Sequence, residues 1–313
     1  MDYTSIRVST LRGDQKIDFN AYLKINEKMI LYLRSGDHFD GERLKRLKEK
    51  KLKKMFILAT QEPSYRSYLD KNIQMAYDNS SGKDLSTRVE IIQGQQQSHT
   101  EEVFENPENA TAYASAKNAA GAYVQFLLTN TDAVGTVLKM ENADQNVAHH
   151  GVSVATLAVA LAEKLGINTP AQVQLLALGG LLHDMGHTDS GMDIARPRSS
   201  FNAEEKALYE QHPARSAERV RDKKHFDAQV IRIISQHEET LKGTGFPGRL
   251  QERELDPMSL IVGAANALDR LLTFEKVPRL EACKRLLIDQ LGNYELDHLQ
   301  KLADIARQIP NSP

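Results

Sequence analysis

From Ser115 to its end, the sequence lacks the period-two alternation of a half-buried strand, and apolar residues recur at three- and four-residue steps. A stretch this long with only helical periodicity has to bury its stripes helix against helix, so it predicts an all-helical bundle over residues 115–313. Ala119 to Leu128 is the first segment, with a turn near Asn130-Thr131-Asp132. A long helix from about Asp144 to Lys164 carries Val147, Val154, Leu157 and Leu161, and Gly166 and Pro170 close it. The apolar run Val173 to Leu182 ends in His183-Asp184. Asn202 with Glu205 reads as a capping box opening one helix that carries Leu208, His212 and Ser216. The next carries Phe226, Val230, Ile233, Ile234 and His237. Asp256-Pro257 starts another, with Ile261, Ala264, Leu268 and Leu271 on its packed face and Val262, Asn266, Asp269 and Thr273 on a more polar stripe.

Residues 1–85 read differently, as a small α+β domain, which makes the whole chain mainly α. Phe19, Ala21, Leu23 and Ile25 alternate with polar residues, Asn26-Glu27-Lys28 turns the chain, and Met29 to Leu33 returns as a second strand. Ile6 and Val8 supply a third. A very basic helix is expected over Gly41 to Lys54, with Leu44, Leu47, Lys51 and Met55 on one stripe, and a second from Pro63 through Tyr68 to Met75. The lysines read as a solvated face, because no aromatic residues interleave with them to stack on bases. Polar breaks at Asn79–Asp84 and Gly94–His99 predict a linker over residues 86–114. The N-terminal domain carries no catalytic constellation, and the expectation for it is a regulatory or protein-partner-binding role.

Net charge is -2, so no global field draws the chain to nucleic acid or to an anionic membrane. No apolar run approaches the ~20 residues that span a bilayer, and the single cysteine, Cys283, permits no disulfide within the chain. A reducing cytoplasm is the expected location.

The histidines narrow the chemistry. His150 lies on the stripe of Val147 and Val154, His212 falls four residues after Leu208, and His237 continues the stripe of Val230 and Ile234. A fourth helix ends in His183-Asp184. An inward histidine is ordinarily a core residue bonded to a carbonyl. Several together are costly to bury unless something holds them neutral, and a metal does so, because it requires neutral imidazole and ionised carboxylate. A carboxylate can also bridge two cations with its two oxygens. His38, His99, His149, His225 and His298 fit no such stripe and are expected at the surface. After His237, Gly243-Thr244-Gly245-Phe246-Pro247 is either a tight turn or a place where backbone approaches a ligand.

In order along the chain stand His150-Gly-Val-Ser-Val, His183-Asp184-Met-Gly, Glu204-Glu205 with His212-Pro213, His237-Glu238, and Gly243 to Pro247. This order resembles the HD-GYP family, the cyclic-di-GMP phosphodiesterase branch of the HD superfamily, over about residues 115–308. The resemblance implies an all-helical domain with His150, His183, Asp184, His212 and His237 as metal ligands and Asp184 bridging. It implies divalent ions, iron first and manganese as the alternative; Asn146, where the family often carries glutamate, points to two ions rather than three. His187 stands where members usually have lysine and joins Asp184 at the catalytic positions, as a phosphate contact or proton carrier. Asn266 aligns with the last metal aspartate, with Asp269 nearby as a substitute. Gly243, Gly245, Phe246 and Pro247 occupy the substrate loop, with phenylalanine in place of tyrosine and one extra residue before Gly243. Lys276 is what remains of a basic segment able to contact phosphate. The implied activity is a metal-dependent phosphodiesterase acting on a cyclic dinucleotide, cyclic-di-GMP. The alternatives are a degenerate domain that binds a nucleotide or protein partner without turnover, and an HD phosphohydrolase acting on another nucleotide.

Overall fold

The computed structural model describes residues 2–13, 15–39, 41–140, 147–188 and 190–309. The chain is mainly α and divides into two compact units, residues 1–98 and 99–313. The expected helix start at Asp144 and the substitution at Asn146 lie outside the described residues.

The first unit holds β1 (Tyr3–Arg7), β2 (Ala21–Ile25), β3 (Lys28–Leu33), α1 (Gly41–Glu49), β4 (Lys54–Leu58) and α2 (Glu62–Tyr77). The sheet order is β1-β4-β2-β3, with every pairing antiparallel. Asn26 and Glu27 turn the β2–β3 hairpin with φ of 47° and 62°, the left-handed backbone that suits the twist of a tight hairpin. Its core is built by Ile6, Phe19, Ala21, Met55 and Ile57 with Leu44, Leu47, Tyr65 and Tyr68.

Two expectations fail here. The basic helix stops at Glu49, Lys51 takes a φ of 55°, and Lys54–Leu58 is a strand paired with β1. Met55 fits a helical stripe and a strand alternation equally well, and the strand's partner lies far back at Tyr3–Arg7. The segment expected as a linker is instead α3 (Leu85–Glu105). Its polar look misleads because Gln93, Gln96, Gln97 and Thr100 are buried beside Val89, Ile92 and Val103. The division between the units falls within this helix, after Ser98.

The second unit continues with α4 (Ala110–Thr129), α5 (Thr131–Lys139), α6 (Val147–Lys164), α7 (Pro170–Leu182), α8 (Ala203–Glu210), α9 (His212–Val220), α10 (Ala228–Gln236), α11 (Pro257–Asp269), α12 (Arg279–Asp289) and α13 (Leu296–Gln308). Among the described residues, no helix is long and apolar enough to cross a membrane. The core joins Val154, Leu157 and Leu161 of α6 to Leu176, Ile233, Ile261, Leu268 and Leu299. Such fully buried aliphatic side chains contribute about 1.5–3 kcal/mol each against exposure. α6 and α7 lie close because Gly180 faces Ala155, where a Cβ would stand 3.0 Å from the Ala155 Cα. That approach brings His150 and His183 to one place.

The helix expected to run through Leu208, His212 and Ser216 is broken at Gln211 into α8 and α9. Pro213 lacks the N–H that continuation needs and sits instead in the first turn of α9. The capping box holds: Asn202 Oδ1 accepts from Glu205 N at 2.9 Å, and Glu205 Oε2 from Asn202 N at 2.9 Å. Asp256 caps α11, accepting from Met258 N and Ser259 N. Of the five histidines expected at the surface only His38 is exposed; His99, His225 and His298 are partly buried and His149 is buried.

Candidate metal centre

Asp184 stands at the hub of a buried cluster. His183 ends α7 and Asp184 follows it with φ -97° and ψ 16°, which directs the carboxylate back under the helix end. Its Oδ2 lies 3.6 Å from His150 Nε2 and 3.4 Å from His183 Nε2. Its Oδ1 lies 3.0 Å from His212 Nε2 and 3.5 Å from His237 Nε2. The expected residues His150, His183, Asp184, His212 and His237 are therefore brought together, two imidazoles to each carboxylate oxygen.

The far nitrogens explain why the near ones converge. His183 Nδ1 donates to Gly180 O at 2.7 Å, His212 Nδ1 to Tyr209 O at 2.6 Å, and His237 Nδ1 to Ile234 O at 2.9 Å. Each acceptor is a carbonyl three residues earlier, at or near a helix C-terminus, where the last carbonyls have no helical partner. His150 Nδ1 is held instead by Asp269 Oδ2 at 2.6 Å. With the Nδ1 proton committed, Nε2 is left to carry a lone pair or a bound cation. His212 Nε2 and His237 Nε2 face each other at 2.9 Å, and His150 Nε2 faces Asn266 Oδ1 at 3.0 Å. Both oxygens of Asp184 and His183 Nε2 are buried without a hydrogen bond. Acceptors facing acceptors in a dry site are repulsive unless cations stand among them, so the donor set fits divalent metal.

Electrostatics agree. Burial opposes charge on Asp184, yet His183 and His187 hold its carboxyl well below the usual carboxylate range. Burial would push His183 down, but Asp184 raises it. His237 is pushed down to about 4, chiefly by burial. His187 is pushed well below its ordinary value, first by burial and then by His212. Its ring stacks on Tyr209 at 5.2 Å and lies 4.0 Å from that of His212, its Nε2 is 3.8 Å from Asp184 Oδ1, and neither nitrogen has a hydrogen bond. Three donor groups in the cluster each bring their atoms within 4.8 Å: His150, His183 and Asp184; Asp184, His187 and His212; His212, His237 and Glu238.

Asn266 and Asp269 take different places. Asp269 grips the back nitrogen of His150, whereas Asn266 presents Oδ1 to its front and donates from Nδ2 to Glu238 Oε1 at 3.2 Å. Asp269→Ala is expected to free the His150 tautomer and weaken metal binding about 10–100-fold, as loss of an orienting partner usually does. Metal titration at the His150 end should show it, with binding at the His212 end unchanged.

A second set of residues carries no periodic signal. Glu238 accepts from Arg198, from Tyr209 Oη at 2.7 Å and from Asn266. Burial alone would raise its pKa, but the Arg198 guanidinium brings it down to about 2. Glu239 accepts from Gly248 N and Leu250 N and so pins the loop after His237. Phe246 N donates to Glu238 O at 3.1 Å, and the Phe246 ring lies 5.9 Å from Tyr209 and 6.2 Å from His212. Gly245 is wedged where a Cβ would stand 2.4 Å from the Glu239 Cα, so the loop stays against the cluster. Gly243 turns the loop with φ 65°, Pro247 is exposed, and Lys276 is exposed with φ 51°.

The sequence model of the HD domain family matches residues 132–287. The solved structure of an HDG"Y"P protein from Bdellovibrio bacteriovorus is similar with a TM-score of 0.93 and 58% identity, over 98% of this chain and 100% of that one. A cyclic di-GMP phosphodiesterase of Pseudomonas aeruginosa is 26% identical over 145 residues, 46% of this chain and 35% of the relative. A cyclic di-GMP phosphodiesterase of Borreliella burgdorferi is 28% identical over 123 residues, 39% of this chain and 32% of the relative. The matches thus span about a third of the length of these curated relatives.

Proposed function

Because the chain belongs to the HD-GYP family, we propose that it is a metal-dependent phosphodiesterase opening a cyclic dinucleotide, with cyclic-di-GMP as substrate. The observation that carries this is the division of four imidazoles between the two oxygens of one buried carboxylate. That arrangement suits two divalent ions bridged by Asp184, one on His150 and His183, the other on His212 and His237. The family resemblance implies iron, with manganese second, and an imidazole-rich set is compatible with iron. Bound there, such ions supply Lewis acidity, lowering the pKa of water and offsetting charge on phosphoryl oxygens.

The chain's own groups do the rest. His187, neutral and with both nitrogens open, is placed to accept a proton beside Asp184. Asn266, fixed by Glu238, offers an amide oxygen at the His150 end. Gly243, Gly245, Phe246 and Pro247 are assigned to the dinucleotide as its loop, and the exposed Lys276 to a phosphate contact. The outer hairpin of the first unit exposes Ile25, Ile30 and Leu31, which supports a partner-binding role for that unit.

One observation favours a second reading, a domain that binds a nucleotide or protein partner without turnover. The loop places a phenylalanine ring at the cluster and so contributes no hydroxyl donor of its own. Metal analysis of protein purified without chelator, followed by turnover assays on cyclic-di-GMP and other cyclic dinucleotides, separates the two. About two metals per chain and hydrolysis restored by iron or manganese after chelation are expected. Bound metal with dinucleotide binding but no hydrolysis would move the second reading ahead. Metal-free protein of unchanged stability would make the histidines ordinary core residues.

A further inference from the structure

Arg270 is 3% exposed, and its Nε, Nη1 and Nη2 have no hydrogen-bond partner among the described residues. It opens a five-residue π-helical turn, Arg270–Phe274, at the end of α11, a widened turn of the kind that often marks functional sites. Its guanidinium lies 5.1 Å from the Tyr209 ring and 5.1 Å from the Phe274 ring. Phe274 in turn sits 4.7 Å from His150, and Tyr209 sits 4.9 Å from His212. The two rings beside the guanidinium thus touch imidazoles at opposite ends of the cluster, which sets Arg270 beside its middle.

Stacking engages the faces of a guanidinium and leaves its in-plane N–H edge for an acceptor. Here that edge has none, and a buried cation without an anion is expensive. Arg270 lines a cavity of about 110 Å³ with Arg198, Glu238, Asn266 and Arg285. The other charges there are already engaged: Arg198 pairs with Glu238, and Arg285 with Glu275 and Asp289. Among the described residues no acceptor is left for that edge, and a small anion from outside the chain that matches the guanidinium fork would supply one. A phosphate group fits, because two of its non-bridging oxygens match the guanidinium fork. Lys276, the basic residue suggested by sequence, is exposed, whereas Arg270 is buried beside the cluster.

We propose that Arg270 is a phosphate-binding group of this site, its in-plane edge taking two non-bridging oxygens of the substrate phosphodiester. This rests on the phosphodiesterase reading for the identity of the substrate, but the anion site itself can be tested apart from turnover.

The test uses the full chain as purified with its metal, inorganic phosphate as the probe, and the variants Arg270→Met and Arg270→Lys. Calorimetry should show phosphate binding weakened about 10–100-fold by Arg270→Met, with partial recovery in Arg270→Lys, which keeps the charge and loses the fork. Metal content should be the same in all three proteins. Phosphate should raise the melting temperature of the wild type and not of Arg270→Met, while phosphate-free Arg270→Met melts no lower than wild type. Equal phosphate affinity in wild type and Arg270→Met would overturn the proposal, as would a metal-depleted or lower-melting Arg270→Met, which would mark a structural cation. Failure of the phosphodiesterase reading looks different: phosphate binding would depend on Arg270, yet the wild type would not hydrolyse cyclic-di-GMP.

Discussion

Asp184→Ala is expected to empty the centre of metal, taking the content from about two ions per chain to a residual level. The reason is geometric. Oδ2 serves the His150–His183 pair and Oδ1 the His212–His237 pair, so one substitution removes a ligand from each. It also removes the negative charge that faces five buried imidazoles, including His187. The effect should exceed the ~10–100-fold typical of losing an orienting partner. By contrast, His150→Ala and His212→Ala should each cost one ion and leave the other. Elemental analysis gives the direct answer. Thermal melting gives an independent one: bound metal stabilises only the folded state, by about 4 kcal/mol at a thousandfold excess over Kd. Chelator should therefore lower the melting temperature of the wild type and leave that of Asp184→Ala where it was. Full metal content in Asp184→Ala would sink the bridging assignment.

Gly186→Ala should break one half of the centre without touching the other. Gly186 lies between Asp184 and His187 in a short 3-10 turn, and its N–H donates to Ser216 Oγ at 2.7 Å. A Cβ there would stand 2.4 Å from His212 O, 2.5 Å from Ser216 Oγ and 3.0 Å from Ser216 N. Two of those atoms are backbone of α9, so the helix itself would have to retreat. His212, its first residue, would carry its Nε2 away from Asp184 Oδ1, now 3.0 Å distant. His150 and His183 belong to α6 and the end of α7, and none of the three atoms that this Cβ meets first belongs to either. The expectation is loss of the ion at His212 and His237, retention of the other, and destabilisation of about 1–3 kcal/mol from overpacking. Metal stoichiometry with denaturant titration measures both. A variant with full metal content and unchanged stability would show that α9 yields more easily than its backbone contacts imply.

Much of this centre is legible in residue spacing. His150 on the stripe of Val147 and Val154 has to point inward, and His237 does so by continuing the stripe of Val230 and Ile234. The caps at Asn202 and Asp256 are local chemistry, and local chemistry is visible in a sequence. What spacing reports is which side of an element is apolar, not what that side meets. The helical reading of Gly41–Lys54, with Met55 on its stripe, runs past Glu49 because β1, the partner of strand Lys54–Leu58, is distant in the chain; residues 86–114 read as a linker because buried amides are the same residue types as solvated ones.

Asn266 and Asp269 show the limit most sharply. Three residues apart on one helix, they had to share a face, and nothing in their spacing separates their roles. The rotation of α11 against α6 decides them, giving Asp269 the back nitrogen of His150 and Asn266 its front. Arg198 comes from a stretch without periodicity, and Tyr209 from a short polar helix. They join the site only because Glu238, buried under the loop, draws their polar groups to one oxygen. By itself the sequence determined the donor residue types and the inward placing of His150 and His237, because those follow from residue chemistry and period, and the order of its motifs carried the resemblance to the family. The tertiary structure alone decided the pairing of imidazoles across Asp184, the fixing of each tautomer and the burial of Arg270 beside the cluster. Those depend on distances between elements far apart in the chain, and packing sets those distances.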